Sequence, residues 1–384
     1  MIRAVNLKTE YLINPIGIDI QKPHLFWNVE GAKKQTAYSI TAKVDEETIW
    51  QSGKISSSSM RAEYGGRSLL SRERVEWAVT LWDENNEPGQ ESTAFFEVGL
   101  LQPSDWSAKW ITADCEINKK LRYPVDHFKK TFVADKPVKR ARLYITACGL
   151  YEAELNGAKV GNAELTPGLT DYRKRVQYQT FDVTGLLREG ENALEVALAD
   201  GWYRGHLGAL STRNVFGTRT KMLCQLEIEY ADGTHQTIGS DDSFTWSNDG
   251  DIRYADLKNG EVVEAGRCPS YAGRARLDAH PVRLSASNNV PVQQHERFTP
   301  KLILSPVGSK ILDFGQNIAG FMEFRVKGEK GQKITLKMGE ALDHGEFTQV
   351  NFQGKMKNID QKIEFTCSGG EDLYRTKFAI FGFR

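Results

Sequence analysis

Cysteine and histidine are scarce in this chain, 5 and 7 among 384 residues. Cys115, Cys148, Cys224, Cys268 and Cys367 are odd in number, widely spaced and form no CxxC pair. Neither a disulfide framework nor a thiolate metal site is expected from that pattern. Reduced thiols of this kind suit a cytoplasmic protein. The first residues, MIRAVNLKTEYLINPIGIDI, lack the uninterrupted apolar core of a signal peptide. No apolar run reaches the roughly 20 residues that a membrane helix needs. Charge of either sign is not in excess: Lys+Arg and Asp+Glu are both 50. The basic surplus that nucleic acid or an anionic membrane would require is missing, so neither is an expected partner. Also missing are a nucleophile elbow, a zinc-binding histidine pair, a phosphate-binding glycine loop and a dinucleotide fingerprint. Helical patterning is sparse. Residues 183–188 read as one short helical turn, with Thr184 as its cap.

What is present is a succession of short alternating strands, an all-β, multi-domain reading. Residues 1–103 suggest a fibronectin III or immunoglobulin-like sandwich. Residues 38–44 alternate, and residues 76–82 place Trp77, Val79 and Leu81 on one face with Trp82 turned to the other. Trp27, Trp50 and Trp77 read as core packing rather than ligand platforms. Residues 104–296 read as a jelly roll, with strands at 140–148, 151–155, 176–182, 193–198 and 222–230. The strand at 128–133 is free to join this sheet or that of the last domain. Residues 297–384 read as a second sandwich, with strands at 310–313, 320–326, 332–339, 361–366 and 377–383. Gly328-Glu-Lys-Gly331 reads as a hairpin connection by its glycines.

The chain is organised around residues 149–208. Asn156-Gly157 is a strong hairpin signal, and Glu189-Gly190-Glu191-Asn192 is a second turn. Between the turns lie Thr170-Asp171-Tyr172-Arg173-Lys174-Arg175 and Asp200-Gly201-Trp202-Tyr203-Arg204-Gly205. Both sit at strand ends, where sites are usually built. The segments LNGAKVG, TPGLTDYRKRVQYQTFDVT, GENALEVALADGWYRG and DFGQNIAGFMEFRV, in this order, resemble the bacterial α-L-rhamnosidases, inverting glycoside hydrolases. The resemblance runs from about Trp106 to Arg384 and, more loosely, through the first hundred residues. It implies a jelly roll with a carbohydrate-binding-like fold, followed by a concanavalin-like sandwich. It also implies rhamnose-containing glycosides as substrates. The family's catalytic carboxylates belong to a following α/α barrel. The resemblance therefore covers only accessory domains, and the closing run FAIFGFR reads as a strand cut short before that barrel.

Glycoside inversion needs two carboxylates roughly 6.5–9.5 Å apart. Asp256 and Glu261 are the nearest candidates, but the resemblance places the acid and base elsewhere, so no catalytic residue is expected in this chain. A sugar offers apolar C–H faces and a ring of hydroxyls, met by aromatic planes and polar side chains. Asp200, Trp202, Tyr203 and Arg204 supply that combination, and Asp171, Tyr172, Asn259 and Glu261 are candidates for the same rim. The competing reading has the aromatics packing a domain face and Asp171 paired with Arg204 in the interior. On the sugar reading, Trp202, Tyr203 and Arg204 are expected partly exposed, with Asp171 beside them. Some family members bind rhamnose through calcium, but no spaced Asp/Asn loop is visible here. No cofactor is expected. Asn317 and Glu340 match a family motif of the sheet domain only loosely, around Lys337-Met338-Gly339-Glu340, and read as loop caps. Three functions follow: the accessory half of an α-L-rhamnosidase, a free-standing lectin-like module, or a scaffold for domain docking.

Overall fold

Alternation in the sequence becomes alternation in burial. In the strand Arg74–Trp82, the residues Val75, Trp77, Val79 and Leu81 are buried and their neighbours point outward. Trp82 turns away and carries the Lys54 ammonium 4.5 Å from its ring centre. The computed structural model describes residues 1–208, 212–350 and 360–384. These form two compact units. The first comprises Met1–Ser107, Tyr178–Phe181 and Leu284–Val290; the second comprises Ala108–Gln177, Asp182–Arg283 and Pro291–Arg384.

The first unit is a two-sheet sandwich. Arg3–Thr9, His24–Glu30 and Arg61–Glu63 form one sheet; Glu47–Gln51, Ala37–Val44, Arg74–Trp82 and Ser92–Glu97 run in order through the other. Trp27, Trp77, Ile40, Val79 and Phe96 fill the space between them. Trp27 satisfies its indole N–H on Gln35 at 3.0 Å, so burial costs it no hydrogen bond. Tyr178 closes the sandwich end, its hydroxyl accepting from the Leu100 N–H at 2.9 Å.

The second unit begins with an antiparallel roll. Val138–Cys148 pairs with Lys221–Tyr230, and Gly190–Ala199 pairs with both Asp126–Ala134 and Leu150–Leu155. The strand at 126–134 thus belongs to the central sheet. Asn156 and Gly157, at φ 55° and 78°, make the tight turn between Leu150–Leu155 and Ala158–Lys159, as the Asn-Gly pair requires. The helical turn expected at 183–188 is a 3-10 turn, Thr184–Leu186, entered from Val183. Thr184 does not cap it. Its hydroxyl donates to Asp182 Oδ1 at 2.6 Å instead.

The last region is also β. Glu323–Lys327 pairs with Glu371–Arg375, and Lys333–Lys337 pairs with Lys362–Thr366. The Gly328–Gly331 connection is therefore not a hairpin, because its flanking strands join different ladders. Its glycines permit a turn but do not choose the partner. The last strand is shorter than expected, Phe381–Phe383. Just before it, the Lys377 and Phe378 N–H groups donate to Glu261 rather than to a neighbouring strand. Gly260–Glu264 runs parallel to Lys362–Thr366, and Val263 shares a core with Ile363, Phe365, Phe381 and Phe383. The hairpin Ile252–Asp256 with Gly260–Glu264 thereby extends the sheet of the last region.

Candidate functional site

The strand Gly190–Ala199 ends at Asp200, and the chain then turns sharply at Gly201. Gly201 has φ +51°, and a Cβ there would sit 2.8 Å from the Gly149 carbonyl carbon and the Leu150 nitrogen. Only glycine fits. The turn continues as one helical turn, Gly201–Arg204, which places Arg204 four residues from Asp200. Arg204 Nε donates to Asp200 Oδ1 at 2.7 Å, and Arg213 Nη2 lies 3.5 Å from Asp200 Oδ2. Asp200 and Arg204 are each 2% exposed. The expected exposure of Tyr203 and Arg204 is therefore not observed. The helical turn folds both inward, and the arginine's charge is met locally. Burial pushes the nearby Asp126 carboxyl up to about 6, partly opposed by Arg204, by the Trp246 indole at 3.1 Å and by the Thr220 hydroxyl at 3.2 Å.

Tyr172 and Tyr203 are both buried and meet edge to face at 5.3 Å. The Tyr172 hydroxyl donates to Gly168 O at 2.8 Å. Trp202 is half-buried against the apolar cluster that contains Leu150, Leu257 and Phe378. Asp171 stands apart from these groups, paired at the surface with Arg173 Nε at 2.8 Å. No Asp171–Arg204 pair forms, since each has found a partner closer in sequence.

A second cluster lies in the hairpin that follows. Asp256 accepts from the backbone N–H groups of His206 (3.0 Å), Lys258 (3.1 Å) and Asn259 (3.0 Å), and His206 Nδ1 lies 2.8 Å away. Burial works to raise the Asp256 pKa, but the imidazole and these N–H groups outweigh it and hold the carboxyl below its usual range. Asn259 Oδ1 accepts from the Asp360 N–H at 3.1 Å, which turns its Nδ2 to within 3.0 Å of the same imidazole nitrogen. These residues wall a cavity of about 480 Å³, with Arg122, Tyr254 and Lys362 completing it.

Glu261 lines the same cavity, but its carboxylate is spent. It accepts from the Tyr374 hydroxyl, from the Lys377 N–H at 3.0 Å and from the Phe378 N–H at 2.5 Å. Full burial pushes it up to about 7 against those bonds. Nearby, Glu152 holds Arg375 Nη2 and Lys377 Nζ, each at 2.9 Å. Of the eight residues proposed from sequence, then, Asp200 meets Arg204, Tyr172 meets Tyr203, and Asn259 and Glu261 share a cavity, while Trp202 packs on an apolar cluster and Asp171 joins none of them. His206, Arg122, Tyr254 and Lys362 were not anticipated. The only sequence signal for His206 is its place in Gly205-His206-Leu207-Gly208, a polar ring in a glycine-flanked turn.

A larger groove, about 860 Å³, lies in the last region, lined among others by Leu312, Phe314, Met338, Leu342 and Phe347. Glu340 also lines it, while Asn317 is exposed. Leu302 and Leu304 are 60% and 69% exposed in the same region.

Three family models account for these parts in order. Residues 4–102 match the Rha78A-like N-terminal immunoglobulin domain, residues 136–301 the α-L-rhamnosidase N-terminal domain, and residues 304–384 the bacterial α-L-rhamnosidase concanavalin-like domain. The chain carries the N-terminal domains of the α-L-rhamnosidase family. An α-L-rhamnosidase of Alteromonas sp. (strain LOR) is 34% identical over 408 residues, covering 98% of this chain and 44% of its own length. The structure of the Aspergillus terreus α-L-rhamnosidase superposes with a TM-score of 0.92 at 30% identity, covering 100% of this chain and 46% of that one. The Streptomyces avermitilis α-L-rhamnosidase, solved with L-rhamnose, gives 0.91 at 25% identity, covering 100% and 55%. This chain thus spans about half the length of the α-L-rhamnosidases it matches.

Proposed function

We propose that this chain is the non-catalytic N-terminal part of an α-L-rhamnosidase that releases terminal α-L-rhamnose from rhamnosides. The observation that carries the reading is the extent of the match: nearly the whole chain aligns, yet onto only 44% of the Alteromonas protein. The local chemistry supports it. Inversion needs an acid and a base free to face the scissile bond, and both candidate carboxylates are engaged. Asp256 is held by His206 and three backbone N–H groups, and Glu261 by Tyr374, Lys377 and Phe378. The apolar groove around Phe314, Met338 and Phe347 is then the surface that docks the catalytic domain, since apolar patches of this kind mark interaction sites. Mixing this chain with the separately expressed remainder of the Alteromonas protein tests the docking. Association weakened by Leu342→Asp is the expected result, and no association under any condition would refute it.

A sugar-binding role for the jelly roll is the second part of the proposal. Of the predicted residues around the strand end and the following hairpin, the half-buried Trp202 is the one that remains available to a sugar; Asp200, Tyr203, Arg204, Asn259 and Glu261 hold the fold together. L-rhamnose, the ligand in the Streptomyces avermitilis structure, is the first compound to titrate. Loss of rhamnose binding in Trp202→Ala with unchanged melting supports a sugar site. Loss of stability in that variant, with no rhamnose affinity in the parent, leaves Trp202 as packing.

A further inference from the structure

We infer that the cavity beside His206 is a site for an acidic sugar, a hexuronate. The inference narrows the sugar-binding reading of the jelly roll and rests on it. The cavity, about 480 Å³, falls within the roughly 300–1,000 Å³ typical of small-ligand sites.

Its lining carries charges of both signs. The Arg122 guanidinium lies over the Tyr254 ring, its Cζ 4.7 Å from the ring centre. Among the described residues Arg122 makes no hydrogen bond and no ion pair, whereas Lys362, the other cation of the lining, bridges Asp360 at 3.0 Å and Glu364 at 2.8 Å. A guanidinium without a polar partner keeps its fork free, and that fork matches a carboxylate in two parallel hydrogen bonds. Among the described residues, the buried Tyr254 hydroxyl of the same wall has no hydrogen-bond partner of ordinary geometry.

The lining also offers hydrogen-bond acceptors. His206 Nδ1 is engaged by Asp256, which leaves Nε2 as the other ring nitrogen for a ligand hydroxyl, a group that can meet it as donor or acceptor. Asp360 and Glu364 each give one contact to Lys362 and retain lone pairs for hydroxyl donors.

Three ligand classes compete for this pattern. A neutral sugar would use the acceptors and leave Arg122 unpaired. A small inorganic anion would use Arg122 and face Asp360 and Glu364 unfavourably. A hexuronate gives its carboxylate to Arg122 and its hydroxyls to His206, Asp360 and Glu364.

The test is calorimetric titration of the whole chain with D-glucuronate, its neutral methyl ester and L-rhamnose. D-glucuronate should bind saturably, and the methyl ester at least roughly tenfold more weakly, the loss expected when a bidentate charged pair is removed. Arg122→Ala should weaken D-glucuronate by a similar factor, while Arg122→Lys retains part of the affinity. Because Arg122 is exposed, both variants should melt as the parent does. Binding of L-rhamnose without D-glucuronate would overturn this inference and leave the rhamnose reading standing. Binding of neither would remove both. D-glucuronate affinity unchanged in Arg122→Ala would place the acid elsewhere and refute the site.

Discussion

Glu261→Gln gives the sharpest test of how the second unit is tied together. The carboxyl lies fully buried between Gly260–Glu264 and the segment before Phe381–Phe383, and burial pushes it from 4.5 up to about 7. A carboxyl with a raised folded pKa binds its proton more tightly in the native state than in the unfolded chain. The stability it contributes is complete below about pH 4.5 and is lost as pH rises to about 7. The rise is worth about 3 kcal/mol, at about 1.4 kcal/mol per pH unit. Glutamine keeps the acceptor for the Lys377 and Phe378 N–H groups and can accept from or donate to Tyr374, but it does not titrate. Urea unfolding at pH 5 and pH 8 reads the difference. The variant should gain about 3 kcal/mol relative to the parent between the two pH values. Equal differences at both would show that Glu261 does not titrate between them, and the tie would then not be the one described.

Arg204→Ala leaves Asp200 buried with, among the described residues, only the 3.5 Å ion-pair contact to Arg213 and removes the charge that opposes Asp126 protonation. Stability should fall by about 3–5 kcal/mol in urea unfolding at pH 7, and by less at pH 5, where Asp126 takes up a proton. Trp77→Ala removes a fully buried ring from the core of the first unit and should cost about 3–5 kcal/mol in the same assay. Asp171→Ala breaks only a surface pair with Arg173 and should change the unfolding midpoint by no more than about 1 kcal/mol.

Local pattern was legible where local chemistry decides the outcome. Alternation in residues 76–82 foretold which face of Arg74–Trp82 is buried, because period-two alternation leaves little choice in a half-covered sheet. Asn156-Gly157 foretold its turn for the same reason: few other residues accept two positive φ values in succession. The candidate site was legible only in part. Arg204 looked surface-bound because a charged residue after a strand usually is; its partner at Asp200 becomes visible only once Gly201 starts a helical turn. Gly328–Gly331 was misjudged because glycines permit a turn without selecting the strands it joins. The parallel pairing of Gly260–Glu264 with Lys362–Thr366 has no local signature, since its partners lie far apart in the sequence. His206 and Arg122 meet in one cavity by the same long-range route.

The central claim is that these domains hold no glycosidase active site of their own. Incubation of the pure chain with an aryl α-L-rhamnoside tests it most directly. The account predicts no release of the aryl group above background. Saturable turnover abolished by Asp256→Asn or Glu261→Gln would contradict it.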